Sequence, residues 1–288
     1  MISYRHHVVS LVAVFLALAA GVALGGGPLS DLARDPATSS ARATVQRQEA
    51  QRVASFGDDF ATAGAAALYD GRLKDQSVSI LTLPGADADV VSGLADQVAR
   101  AGGTVAGTYD AKPVLVDASE KSLVDTMGSQ LMTTLGDDAV SADASTYPRL
   151  GELIGLALAA PDGALKDATS IRQSLAGADL LSSPADAQRT PLVLVVLGDD
   201  VDDAILSGLL SGLAAKATGV VVAGDAASGV DGDLRALREE PVADDVTTID
   251  GVDVVVGQVT AVLALARSLE VSGGAFGASG SDGAVPLG

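Results

Sequence analysis

The sequence predicts an α/β fold: a mostly parallel sheet built from two βαβ-like units with covering helices, carried behind one N-terminal transmembrane helix and a short helical stalk. Three observations predict it. Val8–Leu24 (VVSLVAVFLALAAGVAL) is an uncharged apolar run. Ser77–Leu83 and Leu192–Leu197 are near-continuous β-branched and leucine runs, the mark of strands buried on both faces. Each run is followed by a turn, an amphipathic stretch and a second apolar run, the order of a βαβ unit.

The apolar run, extended over Gly25–Gly27, reaches the roughly 20 residues that span a hydrocarbon core. Arg5 precedes it and Asp31 follows it, so the positive flank belongs inside and the bulk of the chain outside. An uncleaved anchor is the reading taken. The alternative is a cleavable secretory signal, with Ala23-Leu24-Gly25 as its small-x-small site.

After the anchor, Leu29 to about Ala50 is rich in Ser, Thr, Ala and Arg and reads as a polar juxtamembrane stalk. From Val53 the spacing becomes heptad-like: Val53, Phe56, Phe60, Ala63, Ala67. Two heptads are short for a coiled coil. The stretch is either an amphipathic helix packing on its own domain or a short stalk that pairs two copies.

The first βαβ-like unit is Ser77–Leu83, a turn at Pro84-Gly85, a helix over Asp87–Ala101 with Val90, Val91, Leu94 and Val98 on one face, and a strand at Thr104–Thr108. The second repeats this order. Leu192–Leu197 is a strand, Asp199-Asp200 a turn, Val201–Lys216 a helix and Gly219–Ala223 a strand. Laid together, Asp87 matches Asp202, Ser92-Gly93-Leu94 matches Ser207-Gly208-Leu209, and Val105 matches Val220. Between the units, Glu120–Leu135, Tyr147–Ala160 and Ala164–Leu175 read as helices. The middle one is apolar nearly all round, too short for a membrane span and hence a core helix. A short helix (Asp233–Glu239), a strand (Val246–Ile249) and a last helix (Val254–Leu269) complete the domain. The Gly/Ser-rich end from Val271 offers too little to bury and is expected to be disordered. The organisation predicted is 1–27 anchor, 28–67 stalk, 68–270 extracytoplasmic α/β domain and 271–288 tail.

Composition closes off several chemistries. The chain has no cysteine and no tryptophan, 37 acids against 18 Lys and Arg, and a net charge of −19. A field of that sign repels nucleic acid and anionic headgroups from the bulk domain. Without cysteine there is neither a disulfide nor a thiolate ligand. His6 and His7 are the only histidines, on the inner side of the expected anchor, so a histidine-activated nucleophile is excluded outside. Paired carboxylates for glycoside cleavage stay open among so many acids, but no aromatic platform accompanies them.

Four features of the sequence are candidate sites. Asp199-Asp200-Val201-Asp202-Asp203 follows a strand, where open α/β sheets bind ligands, but it lacks the order of a calcium loop and suits the first turn of a helix. Gly224-Asp225-Ala226-Ala227-Ser228-Gly229 could line a phosphate but has no lysine and does not match the P-loop pattern. His6 and His7 read as orientation signals beside Arg5. Met127 and Met132 read as core fillers, because a copper(I) site needs several soft ligands close together. No catalytic, cofactor-binding or metal-binding residue is therefore assigned, and no cofactor is expected.

One resemblance adds to this reading. The opening MISYRHHVVSLVAVFLALAAGVALGGGPLSD, the segment Leu68–Gly107 with its L-x-D-x-S-V-x-I-L-x-x-P-G-A-D core and AGGTVAG close, and Gly257–Leu269 resemble the actinobacterial copper transport protein B (MctB-like) family, also linked to daughter-cell separation under the name SteB. The resemblance implies a membrane-anchored cell-envelope protein. Its implied role is copper export or homeostasis, or else pairing with a membrane partner to control cell-wall hydrolysis. The stalk here is shorter than the coiled coil expected of the family. A single apolar helix and non-alternating strands do not make a pore, so a binding module acting through an envelope or integral-membrane partner is expected, with a homodimer through the stalk as a further expectation.

Overall fold

The computed structural model describes residues 36–135, 140–159 and 168–287. The expected anchor, Val8–Leu24, lies outside the described residues, as do His6 and His7. Among the described residues no helix is long and apolar enough to cross a membrane. The chain divides into two units, Met1–Phe56 and Gly57–Gly288.

Helix α1, Pro36–Tyr69, contains the point of division. Proline at the first helical position needs no amide partner there and has its φ preset. The polar stalk expected after the anchor is helical from Pro36 onward. In the first unit Val53 and Phe56 are exposed. In the second unit Phe60 is 71% exposed, while Ala61, Ala65 and Tyr69 are buried. The packing face thus runs through Ala61, Ala65 and Tyr69, and the heptad-like seam faces solvent. The expectation that this seam packs on its own domain is corrected. Small side chains at 61 and 65 let the helix lie close, and Tyr69 OH donates to Gln97 Oε1.

The second unit holds a seven-stranded sheet in the order β3-β2-β1-β4-β5-β6-β7. The strands are β1 Ser77–Thr82, β2 Thr104–Ala111, β3 Leu181–Ser182, β4 Leu192–Val196, β5 Gly219–Gly224, β6 Thr247–Asp250 and β7 Ala275–Gly277. All neighbours pair parallel except β2 with β3. The order β2-β1-β4-β5-β6 is that of flavodoxin-like sheets, with the chain reversing its direction of travel between β1 and β4.

Both predicted βαβ-like units are present. α2 (Ala88–Arg100) joins β1 to β2, and α7 (Asp203–Ala214) joins β4 to β5. Because the two crossovers travel in opposite directions and share one hand, their helices cover opposite faces. The strands accordingly divide their side chains. Leu192, Leu194 and Val196 enter one core with Val98 of α2 and Val262 of α10 (Val255–Arg267). Val193 and Val195 enter the other, with Leu206, Leu210 and Leu213 of α7 and Leu153 and Ile154 of α5 (Thr146–Leu158). The all-round apolarity of α5 follows from its surroundings: its residues from Leu150 to Leu158 are buried, against α7, α4 (Lys121–Leu135) and α6 (Ala168–Gly177). A four-residue helix, α3 (Pro113–Val116), precedes α4.

A partly buried ion pair ties α5 to the segment just past α7. Lys216 Nζ lies 2.9 Å from Glu152 Oε2. Burial pushes the Glu152 carboxyl up, but Lys216 and the Ser141 N–H together hold it below the ordinary value.

Two expectations at the C-terminal side change. Gly224–Gly229, read as an ordinary loop, holds a helix start: Asp225 caps a short helix, α8 (Ala226–Asp231), which leads into α9 (Asp233–Leu237). The end expected to be disordered forms β7, pairing Thr248, Ile249 and Asp250 with Ala275, Phe276 and Gly277. Its order comes from hydrogen bonds and ion pairing, with little apolar burial besides Phe276.

Candidate functional site: the acidic C-terminal edge of the sheet

In a parallel sheet of this order, the place for a ligand is the crevice at the carboxyl ends of β1 and β4, where the winding reverses. Here the chain itself narrows that crevice to a cavity of about 120 Å³, lined by Gly85, Asp87, Gly198, Asp225 and Asp253. The Asp199 N–H donates to the Pro84 carbonyl at 2.7 Å. Gly198 sits so close that a Cβ there would overlap the Pro84 carbonyl and the Ala86 amide, and a Cβ at Gly85 (φ 81°) would overlap Asp199. Two glycines thus bring the β1 and β4 turns into backbone contact.

The helix starts along this edge are equally occupied. The first turn of a helix offers unpaired amides and a positive dipole end, the usual anion site of such folds. Asp87 Oδ1 accepts from Asp89 N and Val90 N at the head of α2. Asp202 Oδ1 accepts from Ala204 N and Ile205 N at the head of α7. Asp225 Oδ1 takes Ser228 N and Asp253 Oδ1 takes Ala226 N at α8. Asp58 Oδ1, on α1, takes Val255 N at the head of α10, 2.9 Å away. Carboxylates of the chain stand where a phosphate would, and the edge carries a negative field that disfavours nucleotides.

The Asp199–Asp203 run therefore splits into separate tasks. Asp199 closes the crevice through its amide, Asp202 caps α7, and Asp200 and Asp203 line a cleft of about 420 Å³ together with Asp231, Asp233, Arg235 and Glu239. Asp233, at the head of α9, is the one whose chemistry the cleft changes. It is 7% exposed, and its Oδ2 accepts from Val201 N at 3.2 Å. Burial raises its pKa to about 6, opposed by the Val201 hydrogen bond and assisted by Asp200 and Asp203. Among the described residues no three His, Cys, Asp or Glu side chains converge as metal ligands.

Asp233 was not singled out from the sequence, since a Gly-Asp-Leu start to a short helix gives no sign of burial. Arg238 was missed as well. Its Nη2 reaches Asp250 Oδ1 and the Phe276 carbonyl, its Nη1 reaches Ser279 Oγ, and its Nε reaches Thr248 Oγ1. An arginine one residue past a helix end carried no signal of a partner 12 residues on. Met127 and Met132 pack, partly buried, against the core around α5. In the other candidate, Gly224–Gly229, Asp225 Oδ1 accepts from the Ser228 N–H and caps α8.

The chain matches the family described as "Copper transport outer membrane protein, MctB" over residues 1–287. It is 31% identical over 297 residues to the protein named Copper transporter MctB of Mycobacterium tuberculosis (strain ATCC 25618 / H37Rv), with 92% of each chain covered. The same figures hold for the protein of that name from Mycobacterium bovis (strain ATCC BAA-935 / AF2122/97). The Mycobacterium leprae (strain TN) protein of that name is 30% identical over 315 residues, covering 97% of this chain and 96% of the relative.

Proposed function

The chain belongs to the MctB copper transport family, and from that premise we propose that it is a membrane-anchored cell-envelope protein serving copper homeostasis as a binding module without catalysis of its own. The observation that carries this reading is the ligand inventory set against the fold. The domain has no thiolate, its methionines at 127 and 132 pack against the core, and Asp87, Asp202 and Asp225 at its edge are tied into helix caps. Soft copper(I) finds no built site in such a set. The described sheet is open at β3 and β7 and covered by helices on both faces. It is neither a lipid-facing barrel nor a pore wall, so copper handling runs through an envelope or integral-membrane partner. The family's description as an outer membrane protein supports association with a membrane.

A second reading, a septal factor that pairs with a membrane partner to control cell-wall hydrolysis, draws support from one observation. Phe60 on α1 is 71% exposed, an apolar side chain available for contact with a protein partner.

Complementation tests the first reading. A deletion strain is expected to accumulate cell-associated copper. A full-length chain carrying His6→Ala, His7→Ala, Met127→Leu and Met132→Leu is expected to restore the wild-type level. Failure of that chain to restore it, at equal expression, would assign copper handling to the replaced side chains and overturn the proposal.

A further inference from the structure

In the helices packed on the sheet, glycine marks close approach. A Cβ at Gly151 would overlap the Leu209 carbonyl, one at Gly212 the Pro148 carbonyl, and one at Gly257 the Gly251 carbonyl. Gly57 and Gly64 of α1 have no such reason. Among the described residues nothing lies within 4 Å of a Cβ built at either, and neither has a positive φ. Both positions would take alanine without a clash.

Glycine in a helix interior carries a backbone entropy cost that alanine avoids, about a fivefold penalty on the local helix equilibrium. At Gly64 the docked face offsets that penalty, because Ala61, Ala65 and Tyr69 on either side of it are buried. At Gly57 the helix is fastened on one side only. Every described side chain from Thr44 to Phe56 is exposed. Burial begins with the half-buried Gly57 and Asp58, and Asp58 Oδ1 accepts from Val255 N at 2.9 Å. The division of the chain into two units falls between Phe56 and Gly57. The weakest residue for helix propagation thus stands where the free part of α1 meets the fastened part.

From this placement we propose that Gly57 is a hinge in α1: the helix bends there, between a free segment that ends at Phe56 and a segment fastened to the domain from Asp58 onward. Glycine is a usual site of helix bending, and hinges use a few residues at the end of an element to absorb the change in backbone angles. The amides and carbonyls that span residue 57 are on an exposed stretch, so water takes them when the helical bonds open. Asp58 keeps the bend from spreading into the docked turns. The hinge is independent of copper handling and of the anchor reading.

Spin labels on the full-length chain in detergent test it. The chain has no cysteine, so labels attach only where cysteine is introduced. Gln48→Cys and Ala66→Cys lie on exposed positions 18 residues apart on either side of Gly57, about 27 Å in a straight helix. Double electron–electron resonance on this pair is expected to give a broad distribution reaching well below that distance. Gly57→Ala is expected to shift the weight to about 27 Å and narrow it, whereas Gly64→Ala should leave the distribution as it was. A second pair, Gln46→Cys and Ser55→Cys, lies wholly before the hinge and should keep one separation of about 13 Å, read by continuous-wave dipolar broadening. The proposal is overturned by a narrow distribution at the straight-helix distance before any glycine is replaced, by no narrowing in Gly57→Ala, or by equal narrowing in Gly64→Ala. A broad second pair would overturn it too, since the whole segment would then uncoil and no single residue would be the hinge.

Discussion

Arg238 Nη2 lies 2.8 Å from Asp250 Oδ1, and this buried pair fastens the C-terminal segment to the sheet. The second oxygen, Asp250 Oδ2, accepts from the Ser279 N–H at 2.9 Å, and the arginine also grips the Phe276 carbonyl at 3.0 Å. Arg267 adds to the clamp, donating to the Gly273 carbonyl at 2.7 Å and lying 5.4 Å from the Phe276 ring centroid. A segment poor in apolar side chains is thus ordered by two guanidinium groups on backbone carbonyls.

Removing one partner of a buried pair leaves the other charge uncompensated, at a cost of about 3–5 kcal/mol. Arg238→Ala is therefore expected to lower the melting temperature strongly and to free β7. Hydrogen exchange should show loss of protection over residues 274–283, with β4 protected as before in whatever fraction remains folded. Retained protection of β7 in the variant would contradict the clamp.

Gly198 is the second point of leverage. A side chain there meets backbone atoms of Pro84 and Ala86, which cannot rotate away, so the β1 and β4 turns must part. Gly198→Ala is expected to cost about 2–3 kcal/mol, the upper range for overpacking. Gly177, at the end of α6, has open space around its Cβ position. Gly177→Ala should instead be neutral or stabilise by up to about 1 kcal/mol through helix propensity. Denaturant melts of the two variants check the contrast.

Asp233 gives the fold a pH dependence of defined sign. Its folded pKa is raised from 3.8 to about 6, so the native state holds its proton more tightly than the unfolded chain. Its contribution favours folding below about pH 4 and is lost as the pH rises through about 6, by up to about 3 kcal/mol. Asp233→Asn keeps an oxygen for the Val201 N–H and removes the buried charge. The variant is expected to melt higher than the parent at pH 7.5 and equal to it near pH 4. A variant that melts lower at pH 7.5 would show that the ionised carboxylate is stabilising.

The central sheet was legible because its strands are buried on both faces and so write unbroken apolar runs, as in Leu192–Val196. The matched pairs also held up physically: Asp87 and Asp202 are both N-caps, heading α2 and α7. The packing face of α1 was not legible. Alanines at 61 and 65 define it, and an alanine does not announce burial as Phe60 does. β7 was missed for the complementary reason. Its order rests on Arg238 reaching Phe276 across 38 residues and on Arg267 reaching the Gly273 carbonyl, polar contacts that no apolar pattern encodes. The acidic run at 199–203 was visible, but its division into a backbone closure, a cap and a cleft wall depends on the approach of Pro84 and Asp233.

Copper itself supplies the last prediction. The described domain offers carboxylates and two thioethers partly buried against the core, and carboxylates are poor ligands for a soft ion. Titrated against a copper(I) competitor dye, the full-length chain with His6→Ala and His7→Ala should bind no better than an acidic protein of similar charge. Copper(II) should associate loosely with exposed carboxylates of the Asp199–Asp203 edge and be displaced by salt, as expected for surface electrostatics. The decisive number is stoichiometric copper(I) affinity. A single site tighter than about micromolar, roughly 8 kcal/mol, could not be assembled from these side chains without opening the core around Met127 and Met132. It would therefore make the protein a direct copper carrier and would show as a copper-dependent loss of protection in α4.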